Sequence, residues 1–141
     1  MIRRAFIIRS LGVAIAFSSG CAGSVSPLNP SPVPLGTWGG DHVTMTILAT
    51  GTHVELDCAH GDFSGALSID SRNQFSVAGT FVREHGGPIR EDQPPDTHPA
   101  VYAGSVQSNS MALTIRLLDT GDPIGSFSLA HGAQGRIVKC L

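Results

Sequence analysis

The chain has 141 residues, with nine Lys and Arg against eleven Asp and Glu and a net charge of −2. That length holds one domain. The faintly acidic balance excludes a nucleic-acid surface and an anionic bilayer surface as partners.

The first segment is set aside before any fold reasoning. Arg3, Arg4 and Arg9 make a basic start, Leu11 to Phe17 is a short apolar run, and Ser18, Ser19, Gly20, Cys21 and Ala22 are small. The run is too short to span a bilayer, so residues 1–20 read as a signal peptide. Ser19-Gly20-Cys21 resembles the lipobox of bacterial lipoproteins, with Ser18 where that pattern has Leu. The resemblance implies lipidation of Cys21, and Ala22 in the place of an inner-membrane Asp implies the outer membrane. Simple cleavage, giving a soluble periplasmic or secreted product, is the alternative. Arg3-Arg4-Ala5-Phe6-Ile7 also looks like the core of a twin-arginine signal, so the export route stays open. Loss of residues 1–20 removes three cations and no carboxylate, taking the net charge from −2 to −5. The only expected membrane contact is then the lipid anchor.

Residues 21–35 follow as the lipidated cysteine and a Pro/Ser-rich tether, a semi-extended spacer. The domain is expected over 36–141. With Cys21 lipidated, Cys58 and Cys140 remain as a pair in an oxidising compartment, and a disulfide is expected. No C-x-x-C and no tight Cys/His spacing points to a metal.

The domain alternates apolar and polar residues and has no useful helical period. Strands are expected near 39–49, 52–59, 62–70, 74–84, 100–107, 110–119, 123–131 and 136–140. Closing each hairpin on its turn sets Ile47 opposite Val54, Cys58 opposite Phe63, Phe63 opposite Phe81, Tyr102 opposite Ile115, Leu113 opposite Leu129 and Phe127 opposite Cys140. The polar set, including Thr44, Glu55, Asp57, Ser68 and Arg116, falls on the other face. Eight antiparallel strands with one apolar face give an all-β, single eight-stranded up-and-down barrel; a two-sheet sandwich is the alternative. Cys58 and Cys140 fall at one rim, on either side of the first strand, so the rim has to pinch there to bridge them. Trp38 is out of phase with Val43, Met45 and Ile47, and a bulge at Gly39-Gly40 turns it inward.

Gly36-Thr37-Trp38 resembles the G-x-W opening of calycin-type barrels: lipocalins, avidin-like proteins and a small periplasmic metalloprotease-inhibitor family. The resemblance implies that Arg136, or Lys139 in its place, covers Trp38 by a cation–π contact. The chain lacks the lipocalin T-D-Y stretch and an avidin-like biotin set. Its size and single disulfide fit the inhibitor family better.

Two features bear on function. Gly65, Gly79 and Gly104 share the inner face, either framing a hollow for a small apolar ligand walled by Phe63, Phe81 and Tyr102 or letting coiled strands turn while aromatics fill the space. The segment from His85 to Pro99 is long, proline-rich and polar, unlike the tight turns elsewhere. His85, Arg90, Asp92, Asp96 and His98, with Glu91, are its candidate binding residues, and Tyr102 adjoins them. His85, Asp96 and His98 form a weak metal set. For catalysis, Asp57 or His60 at one rim and Asp96 with His98 in the loop are possible acid–base groups, yet no mechanistic motif appears. The expected function is therefore a monomeric, non-enzymatic binding module without a cofactor, for a protein partner or a small apolar ligand. A protease-inhibitor-like interaction protein is the alternative, and a hydrolytic or metal-dependent enzyme using the loop stands further back.

Overall fold

The computed structural model describes residues 30–88 and 92–140. The expected signal peptide, Cys21, most of the expected tether, Arg90 and Glu91 lie outside the described residues.

The strands in chain order are β1 (Ser31–Pro32), β2 (Gly36–Gly40), β3 (Val43–Leu48), β4 (Gly51–Leu56), β5 (Ala59–Ser64), β6 (Ser68–Ile69), β7 (Gln74–Arg83), β8 (Asp96–Gln107), β9 (Ser110–Leu117) and β10 (Pro123–His131). All but β1 and β6 close into an eight-stranded antiparallel up-and-down barrel, and those two short segments pair with each other outside it. Alternation is the cause of this arrangement. Val43, Met45 and Ile47 of β3 and Met111, Leu113, Ile115 and Leu117 of β9 point inward and are buried, while the residues between them stay at least partly exposed.

Eight barrel strands are present, but they are not the eight expected. The stretch 39–49 is two strands, broken at Asp41-His42, where His42 takes a left-handed conformation (φ 66°). Trp38 is out of phase because a turn separates it from β3, and no bulge is needed. It faces Met45 across the β2–β3 ladder and is fully buried. With the extra strand at the front, the barrel closes between β10 and β2. Residues 136–140 are accordingly not a barrel strand, and their one bridge joins Arg136 to Asp41.

The registers differ in the same informative way. Val106 faces Met111 and Tyr102 faces Ile115 as expected. Elsewhere the pairing has slid by an even number of residues: Val54 faces Met45 and Gly61, Phe81 faces Gly61 and His98, and Phe127 faces Leu113. An even slip leaves every side chain on its face, so burial is satisfied by several registers. The β4–β5 turn consequently falls at Asp57-Cys58, upstream of the expected His60-Gly61.

One end of the barrel is shut. After Ser64 the chain leaves the wall, and Ser68–Ile69 pairs with Ser31–Pro32. Val33 and Leu67, each 2% exposed, pack there, with the Val33 amide donating to the Leu67 carbonyl at 2.9 Å. The Trp38 indole N–H donates to the Pro34 carbonyl at 3.0 Å. The last residues of the expected tether thus rest on the barrel.

The other end carries the Asp41-His42 and Asp57-Cys58 turns, residues 84–88 and 92–95 of the connection after β7, the turn 118–122 and Cys140. Beyond β10 the chain runs back over the outside of β2. A Cβ on Gly39 would overlap the backbone of Ala133, Gln134 and Gly135, and one on Gly135 would overlap Val43 and Thr44. The strap ends in the Cys58–Cys140 disulfide, with Cα atoms 5.2 Å apart. That bridge requires no pinched rim, because the strap lies over the wall and not within it.

Candidate functional site

The barrel interior is filled. Tyr102 is fully buried against Phe63, with ring centroids 5.3 Å apart, and its hydroxyl donates to the Thr80 carbonyl at 2.6 Å. A Cβ on Gly61 would overlap that hydroxyl, so a residue without a side chain is what lets the ring cross the barrel. Burial drives the Tyr102 pKa far above the ordinary phenol value. Tyr102 is therefore a core residue and does not line a ligand surface. Of the two readings of the inward glycines, the filled barrel holds and the hollow does not. Side chains at Gly79 and Gly104 would strike the Asp62 and Ala112 carbonyls and the rings or stems of Phe63 and Phe75, while Gly65 lies in an exposed turn at positive φ. The first two glycines permit close approach of backbones in a tightly coiled wall.

Trp38 is covered by His131, with ring centroids 4.8 Å apart, and not by Arg136. The Arg136 guanidinium is turned outward and held by Asp41, its Nε 2.8 Å from the carboxylate. Lys139 does not replace it, because its ammonium sits between Glu55 and Glu84. The strap, lying on the outer wall, carries both cations away from the core.

The loop differs from expectation at its end. β8 begins at Asp96, opposite Arg83, so the connection is 84–95. Pro99 sits inside the strand without harm because it faces β9 just beyond Leu117, where that ladder ends. Asp96 and His98 are thereby strand residues. Both His98 nitrogens are engaged, Nδ1 with Asp119 at 2.7 Å and Nε2 with Asp96 at 3.0 Å. His85 stands 3.8 Å from Asp96. An imidazole donating to two carboxylates has no lone pair to offer a metal, and no metal-binding group of His, Cys, Asp or Glu occurs among the described residues. Asp92 is exposed. Of the expected set, the fold brings together His85, Asp96 and His98.

A second polar cluster is one that the sequence reading does not assemble. His53 bonds Asp62 at 2.6 Å and Glu55 at 2.7 Å, Lys139 bridges Glu55 and Glu84, and Glu84 takes His60 at 2.8 Å. Asp57 accepts from the Val138 amide at 2.9 Å and bonds His42 at 2.6 Å. Period-2 alternation does place His53, Glu55 and Asp57 on one outer face. What the sequence pattern conceals is that the terminal strap supplies Lys139 and the Val138 amide. Asp57 and His60, the possible acid–base groups of that rim, are here partners in this brace.

These pairs make stability depend on pH in a definite direction. For His53, burial opposes the charge, but Glu55 and Asp62 raise its pKa above 6.5; Asp119, with Asp96, does the same for His98. Imidazoles raised in this way stabilise the fold fully below 6.5 and lose that contribution as pH climbs through the raised values. Conversely, the bond from His60 holds Glu84 below 4.5, the Val138 amide holds Asp57 below 3.8, and the bond from His98 holds Asp119 below 3.8. Their contribution is lost as pH falls through those lowered values. The thermal midpoint, followed by circular dichroism, is expected to be highest between pH 4.5 and 6.5 and to fall on both sides. A midpoint that keeps rising into the alkaline range contradicts this account.

The open end has a recess of about 390 Å³. Leu56, Ala59, Phe81, Ile124 and Phe127 give it an apolar floor, and Arg83 and His85 stand at its edge. The same two residues border a larger recess of about 590 Å³ against Gly86, Gly87, Pro88 and Pro94 of the loop. Mouth and loop thus form one continuous surface. Comparison with known protein families, curated proteins and solved structures gives no match. The fold is a closed eight-stranded antiparallel barrel.

Proposed function

We propose that this protein is a non-enzymatic binding module of the bacterial cell envelope, exported by its signal peptide and held by a lipid on Cys21. It grips a protein partner with the open end of its barrel. The observation that carries this reading is the apolar mouth next to the loop, on a barrel whose interior is already full. A small-ligand carrier normally engulfs most of its ligand. Here the mouth covers one face of whatever enters it, which suits a side chain projecting from a larger partner. The resemblance to the metalloprotease-inhibitor family makes inhibition of an enzyme the first specific form of that interaction to test.

Loop replacement tests the reading. Exchanging residues 85–95 for Asn-Gly leaves Glu84 with Lys139 and joins Arg83 to Asp96, already paired, through a short turn. The variant is expected to fold and to lose capture of the envelope protein that wild type retains. Arg116→Ala, on the exposed outer wall, is expected to capture as wild type does. Unchanged capture by the loop-replaced protein contradicts the proposal.

A further inference from the structure

The Cys58–Cys140 bond joins two parts of the molecule that lie outside the barrel strands. Cys58 sits in the β4–β5 turn, and Cys140 is in the strap that follows β10. Breaking the bond therefore unpairs no strand. What it releases is the strap, whose contacts at the open end are specific. The Arg136 amide donates to the Gly40 carbonyl at 3.0 Å, and the Arg136 carbonyl accepts from the His42 amide at 2.9 Å. The Val138 amide donates to Asp57 at 2.9 Å, and the Lys139 ammonium lies 3.1 Å from Glu84. His42, Asp57, Cys58 and Glu84 all line the apolar mouth. One wall of the mouth is thus fastened from outside by the strap. The opposite wall is not, since Phe81 and Arg83 belong to the β7–β8 ladder and Ile124 and Phe127 to β10, which pairs with β9.

The fastened wall depends on that hold. His42 keeps a left-handed conformation (φ 66°), which a residue with a side chain adopts only where its surroundings impose it. The chain leaving β2 is bridged at Asp41 to Arg136 of the strap. The pairs of Arg136 with Asp41 and of Lys139 with Glu84 are exposed and contribute little by themselves. The covalent bond is what keeps them and the three amide bonds in place. Loss of the strap also withdraws two cations from among Asp41, Glu55, Asp57 and Glu84, so the wall gains negative charge as it loosens.

We infer that the bond is a redox latch on the binding mouth. Its reduction by a dithiol frees the strap, loosens the wall of His42, Asp57 and Glu84, and ends partner capture while the barrel stays folded. The inference rests on the open end being the binding surface and names how that surface is regulated. Cys140 is exposed and Cys58 half-buried, so a dithiol reaches the bond in the folded protein. One thiolate of the dithiol attacks Cys140 Sγ, the S–S bond breaks, and Cys58 leaves as a thiolate that takes up a proton. The second thiol then displaces Cys140 from the mixed disulfide. Two electrons and two protons pass to the protein, which ends with two thiols, and the reductant ends as its own disulfide.

Amide exchange in the ¹⁵N-labelled full chain tests the release, with dithiothreitol as the dithiol and a temperature well below the reduced protein's thermal midpoint. The native near-UV circular dichroism is expected to persist on reduction. In the reduced protein the His42 and Arg136 amides are expected to exchange at least roughly a hundredfold faster than those of Leu113 and Ile115. Capture is read from a benzophenone amino acid at Arg83, as the yield of its protein adduct in intact envelopes. Cys58→Ser with Cys140→Ser reproduces the released strap without exposing the partner to reductant, and is expected to lower that yield roughly tenfold. His42 and Arg136 amides as slow as those of the core in the reduced protein overturn the inference. So does loss of the near-UV signal on reduction, which makes the bond a support of the whole fold, and so does an undiminished adduct from the double variant. If that undiminished adduct still disappears when residues 85–95 are replaced, the latch fails and the binding surface stands. If neither change affects it, or the disulfide-bonded protein gives no adduct, both fail.

Discussion

Removing the disulfide is expected to produce one of the two largest losses of stability in this domain. Cys58 and Cys140 are 82 residues apart in sequence, so the bridge closes a loop that spans most of the barrel. In the chain-entropy model such a loop restricts the unfolded chain by about 4 kcal/mol. The native state has a further interest in it, because the bridge pins the strap that supplies Lys139 to Glu55 and Glu84 and the Val138 amide to Asp57. Those exposed pairs add little individually, yet all of them depend on the strap staying down. Replacing both cysteines by serine is expected to lower the thermal midpoint by more than about 10 °C under oxidising conditions, the shift that about 4 kcal/mol gives in a small domain. Reductant is expected to bring wild type to the same value. A wild-type midpoint indifferent to reductant contradicts this account of the strap.

The second large effect is expected at Trp38. Its ring is wholly buried at the shut end, tilted against His131 at 41°, and its N–H is bonded to the Pro34 carbonyl. Trp38→Ala removes the ring, leaves the Pro34 carbonyl without its donor and opens a void that Val33 and Met45 cannot fill. A loss of about 3–5 kcal/mol follows for a truncation of this kind. Trp38→Phe, which keeps most of the ring and gives up the hydrogen bond, is expected to cost much less, about 1–2 kcal/mol. Urea denaturation of the two variants separates packing from hydrogen bonding. Equal losses would place the weight on the indole N–H and not on the fill.

These two sites also show how much of the molecule is legible in its sequence. Alternation alone identifies the fold class and the inward face, because burial acts on parity and parity survives any even slip of register. The same property hides the registers themselves, so Phe81 lies opposite Gly61 and not Phe63. The feature with the widest consequences is the turn at Asp41-His42. It lacks the Asn-Gly or Asp-Gly signature of a two-residue hairpin, and the left-handed conformation falls on a histidine. Trp38's broken phase is the available clue, and it admits a bulge equally well. Overlooking that turn moves the barrel's closure from β10 to residues 136–140. The disulfide pairing emerges correctly all the same, because Cys58 and Cys140 are the only pair left once Cys21 is assigned to lipid. Of the candidate site, His85, Asp96 and His98 are visible as loop polarity. The apolar mouth is not, since it gathers Leu56, Phe81 and Phe127 from three strands whose registers have to be known first.

The central claim is that the partner is met at the open end. Site-specific photo-crosslinking measures this most directly, with a benzophenone amino acid placed at Arg83, which borders both recesses, or at Arg116 on the outer wall. In intact envelopes, Arg83→benzoylphenylalanine is expected to give a discrete protein adduct that disappears when residues 85–95 are replaced, and Arg116→benzoylphenylalanine is expected to give none. A protein adduct from position 116 with none from position 83, or an adduct at 83 with only the mass of a small molecule, would contradict the account.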